Sequence, residues 1–112
     1  MALRPKEIRM PEVVEATYTA KAGHYDEVEA RLLAFAPTYL HVNPALKSLM
    51  VIGDEGAGVV RAIAVYDSHD DAAAVNSDPI FATFADEIGA FMVAAPQRTL
   101  MKLVHSFSQE TS

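Results

Sequence analysis

Residues 58–92 read GVVRAIAVYDSHDDAAAVNSDPIFATFADEIGAFM. The change of hydrophobic period inside this stretch decides the fold. Val59 to Tyr66 is apolar, rich in β-branched residues and long enough for one strand. After Asp67 the pattern turns helical. Ser68 caps a helix start, and Asp71, three residues on, completes the Ser-x-x-Asp form of a capping box. A second start follows, with Asp78 as N-cap and Pro79 at the first helical position, where a missing N–H costs nothing. Phe81, Phe84, Ile88, Phe91 and Met92 then recur at three- and four-residue steps on one helical face. The stretch therefore predicts a strand, a short helix and a longer helix with an apolar stripe.

Working upstream, Glu55-Gly56-Ala57-Gly58 reads as a hairpin turn, preceded by a second strand over Leu46 to Asp54. Before it lies a helix from about His24, with Tyr25, Val28, Leu32, Phe35 and Ala36 on one stripe. Pro37 is expected to kink or end this helix, with Thr38 to His41 as a further turn. A half-polar first strand runs from Glu12 to Ala20 and breaks at Gly23. Downstream, Ala94-Ala95-Pro96 stops the helical pattern and Arg98 to Phe107 predicts a fourth strand. The order is β-α-β-β-α-β, a ferredoxin-like α+β fold with an antiparallel sheet. The expected organisation is an arm over residues 1–11, one domain over 12–107 and a polar tail over 108–112.

A chain of 112 residues buries a real core but is small for a multi-layer enzyme. With 51% hydrophobic and 21% charged residues it is globular. A net charge of −6, with no Lys/Arg cluster, argues against nucleic acid and against an anionic membrane surface. There is no cysteine, so disulfides, thiol nucleophiles and thiolate metal sites are excluded. No apolar run approaches the roughly 20 residues that span a bilayer. The N-terminus lacks the apolar core of a signal peptide, and the cytoplasm is the expected compartment.

Alternation assigns the strand faces. Val14, Ala16 and Tyr18, with Val60, Ala62, Ala64 and Tyr66, face the helices; Glu15, Thr17 and Thr19, with Val59, Arg61, Ile63, Val65 and Asp67, lie opposite. Ala16, Ala62 and Ala64 are small for a sheet packed on helices, where interiors are close-packed. They leave a hollow rimmed by the hydroxyls of Tyr18 and Tyr66, or else Phe81, Phe84 and Leu32 fill the gap. The opposite face is too apolar to stay wet and too polar for a monomer core, which predicts a homodimer with two sheets face to face. Glu15 and Arg61 would then lie inside the dimer barrel and offset each other's charge.

The chain resembles the antibiotic-biosynthesis-monooxygenase-like dimeric α+β barrels over about residues 12–107. The resemblance is carried by Lys21-Ala22-Gly23, Asn43-Pro44-Ala45-Leu46, Ala64-Val65-Tyr66-Asp67-Ser68 and Asn76-Ser77-Asp78-Pro79-Ile80-Phe81. The family usually has Pro-Gly where Pro44-Ala45 stands. Its members include cofactor-independent monooxygenases of aromatic polyketides, haem-degrading enzymes and an isomerase. The haem-degrading branch needs an Asn, a Trp and an iron-ligating His where Ala16, Val75 and Ala85 stand, so haem degradation is not implied. The polyketide-oxidising branch has a Trp, an Asn and a Tyr at or near Tyr66, Ala62 and Ala72; only an aromatic residue at Tyr66 is kept.

The resemblance implies a pocket for a small apolar, aromatic or quinol-like molecule and oxygenation without a cofactor. If Met101, Leu103, His105 and Phe107 share the helix-facing side of the last strand, His105 looks into the hollow and removes a phenolic or enolic proton. Tyr18 and Tyr66 would orient the substrate. Ala16, Ala62, Ala64, Phe81, Phe84, His41 and Asn76 are the expected lining. The alternatives are a histidine merely hydrogen-bonded at a strand end and a dimer that binds a ligand, or only holds its shape, without turnover. The histidines show no metal-ligand spacing, and Gly53 to Gly58 lacks the Gly-Lys-Ser/Thr of a phosphate loop.

Overall fold

The structure, a computed structural model, describes residues 11–107 and 109, with the backbone alone at Asn76. The arm and tail expected at the termini otherwise lie outside the described residues. The elements are β1 (Glu12–Thr19), α1 (Tyr25–Val42), β2 (Leu46–Asp54), β3 (Val59–Tyr66), α2 (His69–Ala73), α3 (Pro79–Ile88) and β4 (Gln97–Lys102), with single 3₁₀ turns at Ala74–Ser77 and Gly89–Phe91. This is the ferredoxin-like α+β arrangement, with an antiparallel sheet in the order β2-β3-β1-β4.

Local chemistry places the starts of α2 and α3 where the sequence puts them. Ser68 Oγ accepts from the Asp71 N–H, the N-cap bond of α2, and donates to Asp71 Oδ2 at 2.9 Å. Asp78 Oδ1 accepts from the Ile80 N–H at the start of α3, with Pro79 at its first position. Gly58 ends the β2–β3 turn at φ 71°, a conformation that favours glycine. Pro37 does not end α1, which continues for five residues to Val42. The cost is one lost N–H bond to the preceding turn, on an exposed position.

All helices cover one face of the sheet. Facing them, Ala16 lies opposite Ala62 on β3 and Arg98 on β4, and Val14 opposite Ala64 and Leu100. Two buried clusters result. One gathers Tyr18, Val28, Leu32, Val60, Phe84, Ile88 and Met92; the other gathers Val14, Tyr39, Leu46, Tyr66, Ala72 and Val75. Phe35, half-buried on α1, packs against both.

The last strand departs from expectation. It ends at Lys102, opposite Glu12, because β1 begins there and is preceded by Pro11, which has no N–H to continue the ladder. Its register is also the other one: Arg98, Leu100 and Lys102 lie on the helix side, while Met101 lies opposite Val13 on the open face. The physical reason is that the open face is itself apolar, so hydrophobicity on alternate residues did not distinguish the two sides.

Ile88 is fully enclosed. Ile88→Ala is expected to lower unfolding stability by about 2–5 kcal/mol, and loss of the Asp78 cap in Asp78→Ala by about 1 kcal/mol, both read from the urea midpoint at unchanged slope.

Candidate functional site

The site is the space between the alanine strip of the sheet and the aromatic side of α1 and α3. Ala16, Ala62 and Ala64 form its floor, with Val14, Leu49 and Val51 beside them. Phe35, Tyr39 and Phe81 form the roof, and Val75 closes one end. The rings interlock. Phe35 stacks on Phe84 with centroids 4.1 Å apart and planes 14° apart, and on Tyr39 at 5.3 Å. Phe81 meets Phe35, Tyr39 and Phe84 edge-on at 6.1–6.3 Å. The hollow has a volume of about 40 Å³. The aromatic roof thus fills most of the gap that the alanines open.

Four polar side chains reach this apolar space. The hydroxyls of Tyr39 and Tyr66 share a hydrogen bond of 3.1 Å, and Asn43 Nδ2 donates to Tyr39 Oη at 3.1 Å. With Asn43 donating, Tyr39 can pass its own hydrogen to Tyr66, which frees the Tyr66 hydrogen for another acceptor. Tyr18 is the third hydroxyl. Arg98 is the fourth group, its guanidinium 3.9 Å from the centroid of the Phe81 ring.

Burial disfavours the phenolate forms. It pushes Tyr18 up to about 12, against an opposing pull from the Arg98 charge. Tyr66 is raised well above the ordinary tyrosine value by burial and then by its bond to Tyr39, again opposed by Arg98. Both tyrosines are therefore hydrogen-bond donors at neutral pH and not bases.

Of the expected site residues, Tyr18, Tyr66, Ala16, Ala62, Ala64 and Phe81 line one hollow. Phe84 stands behind Phe35 and lines an outer groove between α1 and α3. His41 is exposed in the last turn of α1. The Asn76 side chain lies outside the described residues. Glu15 and Arg61 lie on the open face, opposite Ile63 and Thr17.

His105 requires a correction. It is exposed beyond the end of β4, its ring 4.2 Å from that of Phe107, and it does not face the hollow. Arg98 went unread in the sequence, and Tyr39 was placed only in the further turn after Pro37. Tyr39 stands four residues after Phe35 and seven after Leu32, so it continued the apolar stripe of α1 past Pro37.

At the end of the sheet, His69 Nδ1 lies 2.6 Å from Glu12 Oε2. The His69 side chain is largely exposed, while Glu12 is the one buried charged residue among those described. The hydrogen bond to Glu12, and then its charge, hold the His69 pKa above the ordinary value. Among the described residues no three His, Asp or Glu side chains gather as a metal site. No helix among them is long and apolar enough to cross a membrane.

The fold has counterparts among solved structures. A candidate antibiotic biosynthesis monooxygenase of Caulobacter crescentus superposes with a TM-score of 0.74 at 19% identity, over 87% of this chain and 92% of that one. One from Nitrosomonas europaea gives 0.75 at 10% identity, over 96% and 100%. SnoaB, a cofactor-independent oxygenase from Streptomyces nogalater, in a mutant form, gives 0.70 at 17%, over 88% and 98%. No family profile matches the sequence, and no curated protein does so. The fold is that of the antibiotic-biosynthesis-monooxygenase-like proteins.

Two outcomes follow from the titrating groups. Absorbance at 295 nm should show that Tyr18→Phe and Tyr66→Phe remove none of the ionisation seen in the folded protein below about pH 11. Because the folded-state pKa of His69 is raised, its contribution to stability is full below the unfolded value and is lost as pH rises through the folded one. The melting temperature should therefore fall across that interval, and Glu12→Gln should flatten the fall.

Proposed function

We propose that the hollow binds a planar phenolic or enolic molecule as its anion and that the chain is a cofactor-independent monooxygenase. The observation that carries this reading is the convergence of Arg98, Tyr18 and the Tyr39–Tyr66 pair on one aromatic-walled space. An apolar cavity with a few convergent polar groups is the usual form of a small-molecule site. The likeness to SnoaB supports the reaction class.

The chain's own groups define the division of labour. With both tyrosines held protonated, no phenolate serves as base, and His105 is outside. The Arg98 charge and the tyrosine hydroxyls instead stabilise the anion that forms when the substrate loses its proton to water. The electron-rich carbon then forms a bond to dioxygen, and the peroxide takes up a proton. Loss of water breaks the O–O bond and leaves a carbonyl, so a CH2 group and O2 yield C=O and H2O. The aromatic roof excludes competing water from the intermediate.

We further propose that a second copy covers the open face. That face carries Ile63, Val65, Met50, Ile52 and Met101, the last three well exposed. A contiguous exposed apolar patch of this kind marks an interface.

A second reading is favoured by the small volume of the hollow: a dimer that binds a small ligand, or only holds its shape, without turnover. Oxygen uptake with a panel of hydroxyanthrones and quinols separates the two. Turnover is expected, falling about tenfold or more in Tyr66→Phe and Arg98→Met. Uptake equal to the protein-free control across the panel would leave the non-catalytic reading. Light scattering should give twice the monomer mass, and Ile63→Asp should return it to one.

A further inference from the structure

An occupied site needs several hundred Å³, and the hollow offers about 40 Å³. A second space adjoins it. The groove between α1 and α3 has a volume of about 380 Å³ and is lined by Arg31, Ala34, Phe35, Thr38, Thr83 and Phe84, among others. Among the described residues, Phe35 alone lines both spaces. Its ring is the wall between them. Below the hollow lie hydrogen-bonded strands, and the Tyr39–Tyr66 pair and Val75 stand at one end.

The wall is held in a way that lets it move. Phe35 is half-buried, and its ring is fixed by stacking between Phe84 and Tyr39, with no hydrogen bond to break. Two residues on, Pro37 removes the N–H that would bond the Leu33 carbonyl, the ordinary place for a helix to bend. The Phe35 ring therefore sits half a turn before the hydrogen bond that Pro37 removes from α1.

We infer that the hollow and the α1–α3 groove are two compartments of one ligand site, separated by the Phe35 ring, and that a ligand passes between the helices when that ring turns aside. This rests on the pocket reading given above and adds the route and the gate. Once the ring turns, the planar head lies over the alanines and the remainder of the ligand occupies the groove between Arg31 and Glu87.

The test uses anilinonaphthalene sulfonate, a fused aromatic anion, mixed with the full chain in a stopped-flow fluorimeter. In the native protein the observed rate should level off with probe concentration at the rate of ring opening. Phe35→Ala should raise the association rate about tenfold or more and remove the plateau, while Ala34→Trp, which fills the exposed groove without touching the hollow, should slow association by a similar factor. Ala62→Leu, which fills the hollow, should abolish the signal. Circular dichroism confirms that each variant is folded, and Ala34→Trp carries the test if Phe35→Ala is not. An unchanged rate in Ala34→Trp, with binding lost in Ala62→Leu, would overturn the route and leave the pocket standing. Unchanged binding in Ala62→Leu would overturn both.

Discussion

Three alanine side chains at the centre of the sheet set the terms for everything packed on it. Ala16 and Ala62 face each other across β1 and β3, and Ala64 follows one pleat along. Strands this small bring the helices' rings down toward the backbone, and close packing then demands that large side chains come from above. Phe35, Tyr39, Phe81 and Phe84 supply them as an interlocked set. A ring set of this kind is held by contact area and edge-to-face geometry, so it can rearrange without losing directional bonds. A core of leucines over larger strand residues would be stable in the same fold and would have no space to open.

The polar groups make sense only within that frame. A tyrosine hydroxyl buried among apolar groups needs a partner, and the Asn43–Tyr39–Tyr66 chain supplies two of them in sequence. Arg98 enters from β4 because its position opposite Ala16 points it over the sheet and against the Phe81 face. The result is a cation and three tyrosine hydroxyls in a low-dielectric space, an arrangement suited to a bound oxyanion and unsuited to removing a proton.

Much of this was legible in the sequence. The switch from period two to period 3.6 after Tyr66, the caps at Ser68 and Asp78 and the small residues on β1 and β3 gave the element order and the floor of the hollow. The last strand was misread because both faces of this sheet are apolar. Met101, Leu103 and Phe107 made the odd-numbered positions look like the buried set, which drew His105 inward and Arg98 outward. Only pairing with β1, where Ala16 meets Arg98, fixes the side. Tyr39 was underweighted for a different reason: it fell in the separate turn expected after Pro37, whereas α1 absorbs Pro37 on an exposed position and carries its stripe onward.

The central claim is that the space above these alanines receives a ligand. Alanine-methyl NMR during titration with an aromatic anion tests it most directly, since ring currents act only at close range. The account predicts that the Ala16, Ala62 and Ala64 methyl signals move together and saturate with the bound fraction. Shifts confined to Met50 and Met101 on the opposite face, with the three alanine signals unmoved, would contradict it.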